Sequence, residues 1–299
     1  MDKKKILAGI RLLDDPDENI YKAVKKSLTE SGRDVIPLLE KTWEDSFNEK
    51  LQKRIEEIIK QINSVSIKND LEAWLVSGSN DLIKGAWIIA RTNYPDLDLE
   101  VIENKIRKIR SDAWLEFNEN LTGLEKTRVL NHVFFKIHSF TPNTNNYYAP
   151  QNSMINLAVE TGKCNPVMLG ILYMTVAQSL DMPIYSINLP RNFILAYLDP
   201  VSSALAFGDE QDNHILFYIN PFNRGSVFGR REIEQFLAHN KTESRPEFYT
   251  PGSSAEVLLR LCESLNESYE KSGYADKSEE ISELIAIIKD HLDLFATDL

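Results

Sequence analysis

The hydrophobic pattern is densest between Val167 and Leu180, where Met168, Leu169, Ile171, Leu172, Tyr173, Met174, Val176 and Ala177 leave no polar face. A helix that is apolar all round belongs inside a domain. Asn165 and Pro166 open it. Asn is a good N-cap, and proline suits the first helical position, whose N–H has no partner in any case. Asp181-Met182-Pro183 ends the run. Three segments with the branched and aromatic composition of strands follow: Ile184–Asn188, Phe193–Tyr197 and His214–Ile219. Leu189-Pro190 turns the chain between the first two, and Asn220-Pro221-Phe222-Asn223-Arg224-Gly225 reads as a turn after the third.

Helical periodicity governs the rest. Ile6, Leu7, Ile10 and Leu13 share one face, Tyr21, Val24 and Leu28 the next, and Val35, Ile36, Leu38, Leu39 and Trp43 a third. Leu51, Ile55, Ile58, Ile59 and Ile62 form a fourth. The polar stretch 63–70 reads as a linker. Leu71–Asn93 predicts one or two helices broken at Gly78-Ser79-Asn80, with Trp74, Leu82, Trp87 and Ile88 as core anchors. Leu99–Asn118 and Leu124–His138 are amphipathic. Thr141–Pro150 is an Asn-rich surface loop, and Asn152 or Ser153 caps a helix running to Glu160. The acidic segment Val201–Asn213 is long for a hairpin loop. Arg230–His239 makes a short helix, Thr242–Ser254 is the clearest boundary, and Ala255–Tyr269 with Ser278–Leu294 form a final helix pair. Cys262, among Leu258, Leu261 and Leu265, reads as a small buried hydrophobe.

Composition narrows the function. The 299 residues are 42% hydrophobic and 26% charged, as in a globular protein with a sizeable core. A net charge of −11 argues against a general nucleic-acid binder, which needs a basic face. No phosphate-cradling glycine motif and no Cys/His cluster occurs, so neither cofactor nor metal is expected. Two distant cysteines, no signal-peptide pattern and no apolar helix long enough for a bilayer predict a cytoplasmic protein without membrane attachment. Nothing in the pattern sets an oligomeric state.

The central segment resembles the transglutaminase-like superfamily, and within it the SirB-type bacterial branch. The branch pattern runs Arg-Gly-Asn-Pro-[Ile/Val]-Ser-Leu, an apolar helix, Gly-Leu-Pro, a strand, Pro-Gly-His-Phe, a strand, and Asp-Pro-Phe-Asn-Gly-Gly. The matching residues are Cys164-Asn165-Pro166-Val167-Met168-Leu169, Asp181-Met182-Pro183, Pro190-Arg191-Asn192-Phe193 and Asn220-Pro221-Phe222-Asn223-Arg224-Gly225. Upstream, Tyr94-Pro95-Asp96-Leu97-Asp98, Asn131-His132-Val133-Phe134-Phe135, Tyr148 and Asn152-Ser153 also match. The resemblance implies an α+β fold in three parts. A HEAT-like helical arm spans 1–65, including a HEAT-type helix pair at 14–44. A transglutaminase-like domain spans 66–241, helical first and then a buried helix against a small antiparallel sheet. A TPR-like helical pair spans 242–299. The first arm either binds protein or braces the core; it holds too few repeats to stand alone.

Active members of the superfamily use a Cys at the start of the central helix and a His and an Asp on the following strands. Here the His position is Asn192 and the Asp position is Asn220. An amide does not titrate near neutrality and cannot serve as a general base. Cys164 is the candidate nucleophile, its thiolate favoured by the helix N-terminus; the alternative is a small residue filling a tight turn before the N-cap. His214 lies ~20 Å along its strand from Asn220, too far to share a site. His132 and His138 lack metal-ligand spacing and an evident carboxylate partner, and His239 and His291 sit near helix ends. Tyr147 and Tyr148, on a loop beside the family cleft, either shape a pocket or fasten the loop. The expected function is therefore non-catalytic: Asn165, Asn192, Asn220, Tyr147, Tyr148 and Asn152 border a vestigial cleft that takes a protein or peptide ligand. The alternatives are a cysteine peptidase or acyl-transferase built on Cys164, and a cleft merely filled by side chains.

Overall fold

A computed structural model describes residues 3–190, 192–202 and 214–296. The chain forms two compact units, residues 1–73 with 91–95, and residues 74–90 with 96–299. Among the described residues no helix is long and apolar enough to cross a membrane.

The first unit contains α1 (Lys3–Arg11), α2 (Glu18–Glu30), α3 (Ile36–Asp45) and most of α4 (Glu49–Val76). Its core joins the four predicted stripes through Ile10, Leu13, Leu28, Leu39, Ile55 and Ile58. Asp17 caps α2 by accepting from the Asn19 N–H. Arg54, 5% exposed, donates to the carbonyls of Leu13 and Asp15 at 2.8 Å each and to Glu18 at 2.5 Å. The stretch 63–70 is not a linker but part of α4. Ile62, Ile67 and Leu71 carry the buried stripe through it, and the Ser, Asn and Lys residues fill the rest of the circumference.

The second unit is the α+β part. It holds α5 (Leu82–Ala90), α6 (Leu99–Glu116), α7 (Gly123–Asn131), α8 (Ile155–Thr161) and α9 (Pro166–Gln178). After the sheet come α10 (Arg230–His239), α11 (Ser254–Ser272) and α12 (Ala275–Ala296). As its composition requires, α9 is buried on every side. It packs on an antiparallel sheet whose strands lie in sequence order: β3 (Ile184–Ile187), β4 (Ile194–Leu198), β5 (Ile215–Asn220) and β6 (Ser226–Phe228). The expected three strands are thus four; β6, at three residues, is too short to stand out in the sequence. Two further strands, β1 (Thr141–Pro142) and β2 (Lys163–Cys164), pair in parallel on either side of α8 in the chain. The other sheet face is covered by Ile233 and Leu237 of α10 and by Tyr249. The fold is the α+β arrangement the resemblance implies, with helical arms at both ends. The expected loop 201–213 lies mostly outside the described residues.

Two predicted helices change character. Residues 132–137 continue α7 as a π-helix, whose wider turn accommodates three consecutive buried residues, Val133, Phe134 and Phe135. Neither Asn152 nor Ser153 caps α8: both lie in a 3₁₀ turn, Pro150–Ser153, and Met154 precedes the helix without a side-chain cap.

Candidate functional site

Strand register creates the site. β4 and β5 run antiparallel with Leu195 opposite Ile219, so the residues just before β4 lie beside the end of β5. Those residues are Asn192 and Asn220. Both line a cleft of about 100 Å³ together with Tyr147, Pro166, Phe193, Ile194 and Phe222. Among its described lining residues none carries a formal charge at neutral pH.

Each wall is fixed by identifiable bonds. Asn220 accepts the Asn223 N–H on its side-chain oxygen at 3.2 Å and the Gly225 N–H on its carbonyl at 2.9 Å, closing the turn that presents Phe222. Gly225 has φ +70°, and a Cβ there would lie 2.7 Å from Asn131 Nδ2. That close approach lets Asn131 donate to the Gly225 carbonyl at 2.8 Å while accepting from the Tyr173 hydroxyl of α9 at 2.8 Å. The Asn220 amide nitrogen is left without a protein partner among the described residues, and so is the whole Asn192 side chain, which is exposed. Tyr147 comes from the Asn-rich loop and faces Phe222 edge-on at 6.4 Å. Burial raises its phenol pKa, with Tyr148 and Glu267 adding to the effect.

The other sequence candidates support the walls instead of lining the cleft. Asn152, 4% exposed, donates to the carbonyls of Asn146 and Tyr147 at 2.7 and 3.0 Å and accepts from Asn143 at 2.9 Å. Tyr148 packs edge-on against Tyr147 at 5.0 Å under the Lys271 ammonium, which stands 3.5 Å from its ring centre. Asn165 caps α9 by accepting the Met168 N–H at 2.8 Å, and donates to Ser153 at 2.7 Å and Ser264 at 3.1 Å. Cys164 is fully buried in β2, outside the cleft lining, and burial pushes its thiol pKa up. This is the reverse of helix-terminus activation. Of the seven candidates, Tyr147, Asn192 and Asn220 therefore meet at one surface.

Sequence reasoning missed Phe193, Ile194, Phe222 and Pro166 as lining, although each lies within two positions of a residue that was singled out. It also missed Arg260 of α11, for which no local signal exists. The histidines lie outside the lining. His138 does have a carboxylate partner: its Nε2 lies 2.8 Å from Asp112 Oδ2, brought near by the packing of α6 on the π-helix. Among the described residues, no group of three or more His, Cys, Asp or Glu is placed to hold a metal.

Comparison with known proteins identifies the family. The chain is 23% identical over 210 residues to a UPF0162 protein of Xylella fastidiosa strain 9a5c, covering 68% of this chain and 70% of that one. It is 22% identical over 161 residues to a UPF0162 protein of Vibrio cholerae, covering 54% and 55%. It is also 24% identical over 166 residues to F-box only protein 21 of Mus musculus, covering 56% of this chain and 24% of that one. No solved structure matches it. The sequence model of the transglutaminase-like superfamily matches residues 100–263, a span that contains every residue lining the cleft, and the chain belongs to that superfamily.

Proposed function

We propose that the cleft binds an uncharged amide group of a protein or peptide and performs no acyl transfer on it. The observation that carries this reading is the pairing of Asn192 and Asn220 in one cleft whose described lining residues carry no formal charge, each with unused amide hydrogen-bonding capacity. An amide both donates and accepts, so two of them complement a third without titrating. The aromatic rings of Tyr147, Phe193 and Phe222 suit the flat apolar faces of a peptide unit or amide side chain. Size agrees: small-molecule sites usually enclose ~300–1,000 Å³, whereas about 100 Å³ suits one side chain of a larger partner. The buried Cys164, with its raised thiol pKa, supports the non-catalytic half of the proposal.

The test is a titration of isotopically labelled protein with the neutral peptide acetyl-Ala-Gln-Ala-amide, followed at the side-chain amides of Asn192 and Asn220. The expected result is a saturable shift with a dissociation constant of ~1 mM, unchanged in Cys164→Ser and lost in Asn192→Leu. Release of ammonia from the peptide, abolished by Cys164→Ser, would overturn the proposal in favour of a cysteine enzyme. So would alkylation of Cys164, in a Cys262→Ala background, at a rate already maximal at neutral pH.

A further inference from the structure

One stripe of α11, a helix that straddles the end of the matched family region, touches the borders of the cleft in sequence. Glu256 accepts from the Asn188 side chain at 3.0 Å. One turn on, Arg260 donates to three main-chain carbonyls, those of Ile187 at 3.4 Å, Leu189 at 3.2 Å and Asn192 at 2.8 Å. Its guanidinium also lies 5.1 Å from the ring centre of Phe193. One turn further, Ser264 accepts from Asn165 at 3.1 Å. Lys271, bonded to Glu267 at 2.6 Å, closes the series over Tyr148. These positions recur every three or four residues and so share one helix face. The opposite side of α11 carries ordinary core residues, Leu258, Leu261 and Leu265 among them.

We infer that α11 braces the wall of the cleft from behind and that Arg260 is the positioning residue that sets Asn192 and Phe193. The inference rests on the reading of the cleft as an amide site. A guanidinium presents five donors in a rigid planar fork, so one side chain fixes several carbonyls at once. None of its three acceptors is a carboxylate, so the arrangement orients backbone instead of pairing charges. Asn192 contributes only its carbonyl to this network, and its side chain stays available. Arg260 thus acts on the cleft through the residues next to it, without touching a ligand.

The test uses the full chain with Arg260→Met, Arg260→Lys and, as a control, Ile288→Ala, which loosens α12 at a fully buried residue that takes no part in the bonds to these carbonyls. Hydrogen exchange is measured on the peptide spanning 187–195 and on β5. Arg260→Met is expected to speed exchange of the first at least tenfold and leave the second unchanged. Arg260→Lys, with a single ammonium, is expected to fall between it and the wild type. Ile288→Ala is expected to leave the 187–195 peptide at the wild-type rate. Unchanged exchange in Arg260→Met, or equal acceleration in Ile288→Ala, overturns the positioning role. In parallel, acetyl-Ala-Gln-Ala-amide is expected to bind Arg260→Met at least tenfold more weakly than the wild type. If the exchange results hold but the wild type does not bind the peptide, the amide-site reading falls while the positioning role stands.

Discussion

Two glycine-to-alanine substitutions in helices should move stability in opposite directions. Alanine in a helix interior is favoured over glycine by ~1 kcal/mol, mostly through backbone entropy. Propensity alone therefore predicts that Gly9→Ala in α1 and Gly170→Ala in α9 both stabilise. The surroundings differ. At Gly9 the nearest atoms to an added Cβ are side-chain carbons of Leu28 and Val24 at 3.7 Å, ordinary van der Waals contact. At Gly170 the Cβ would overlap Cε1 of Phe193 and stand 2.5 Å from its Cδ1. Carbon pairs settle at ~3.5–4.0 Å, so the ring must move by roughly 1 Å. Phe193 is only 4% exposed, which leaves it little room. Overpacking of this kind costs ~1–3 kcal/mol, and an overlap this deep belongs at the upper end. Subtracting the helix gain leaves Gly170→Ala destabilised by ~2 kcal/mol, against a gain of up to ~1 kcal/mol for Gly9→Ala. Urea unfolding followed by circular dichroism reads both, as midpoint shifts at unchanged slope. Phe193→Leu should relieve the clash, giving a double-mutant coupling of ~1–2 kcal/mol. A Gly170→Ala protein as stable as the wild type, or more so, would refute the argument.

Two further perturbations probe the site and its surroundings. Asn152→Ala removes three hydrogen bonds at a nearly buried position and should cost ~2–3 kcal/mol, with faster proteolysis of the 143–148 loop; a urea midpoint within error of the wild type would contradict the anchoring role given to this side chain. Burial holds the His138 pKa below its ordinary value of 6.5, against the opposing effect of the hydrogen bond its imidazole makes to the Asp112 carboxylate. Lys105 and Lys108 lower it further. The unfolded chain then binds this proton more readily, so the contribution to stability is complete above 6.5 and is lost as pH falls through the folded pKa. The imidazole C–H resonance of His138 should titrate below 6.5, and His138→Gln should flatten the acid limb of stability against pH; a midpoint above 6.5 would mean that Asp112 wins and the sign reverses.

What was legible in the sequence follows from where the forces act. The buried helix was plain because ten apolar residues in fourteen positions admit no exposed face. The pairing of Asn192 with Asn220 was reachable through strand order and resemblance, since antiparallel register fixes which strand ends meet. Errors arose where tertiary contacts overrode local preference. Asn152 carries the composition of a helix cap, yet holds a loop, because the carbonyls of Asn146 and Tyr147 are closer to hand than the first amides of α8. The polar run 63–70 looks like a linker by composition, yet Ile67 and Leu71 suffice to keep it helical. Arg260 was invisible because an arginine that serves backbone carbonyls from 68 residues away leaves no periodic or spacing signal.

The distribution of order around the cleft bears on whether it is a working surface or a gap filled by side chains. A gap left over from packing gives no reason for its backbone frame to be held in place by side-chain hydrogen bonds. Here the backbone is tied down and two side chains are not. Asn131 locks the turn after Asn220, Arg260 gathers the carbonyls beside Asn192, and Asn152 pins the loop that carries Tyr147. The Asn192 side chain and the amide nitrogen of Asn220 remain open between them. Fixing the frame while leaving the recognising groups available is how a binding site lowers the ordering cost of association. A filled gap would not need a half-buried guanidinium to hold its rim. On the proposed reading, the same frame lets amides stand where the resemblance puts acid–base residues. The register that sets His beside Asp in an active relative would set any pair of side chains side by side. On the proposed reading, two amides there keep the directionality of hydrogen bonding and drop only the proton transfer.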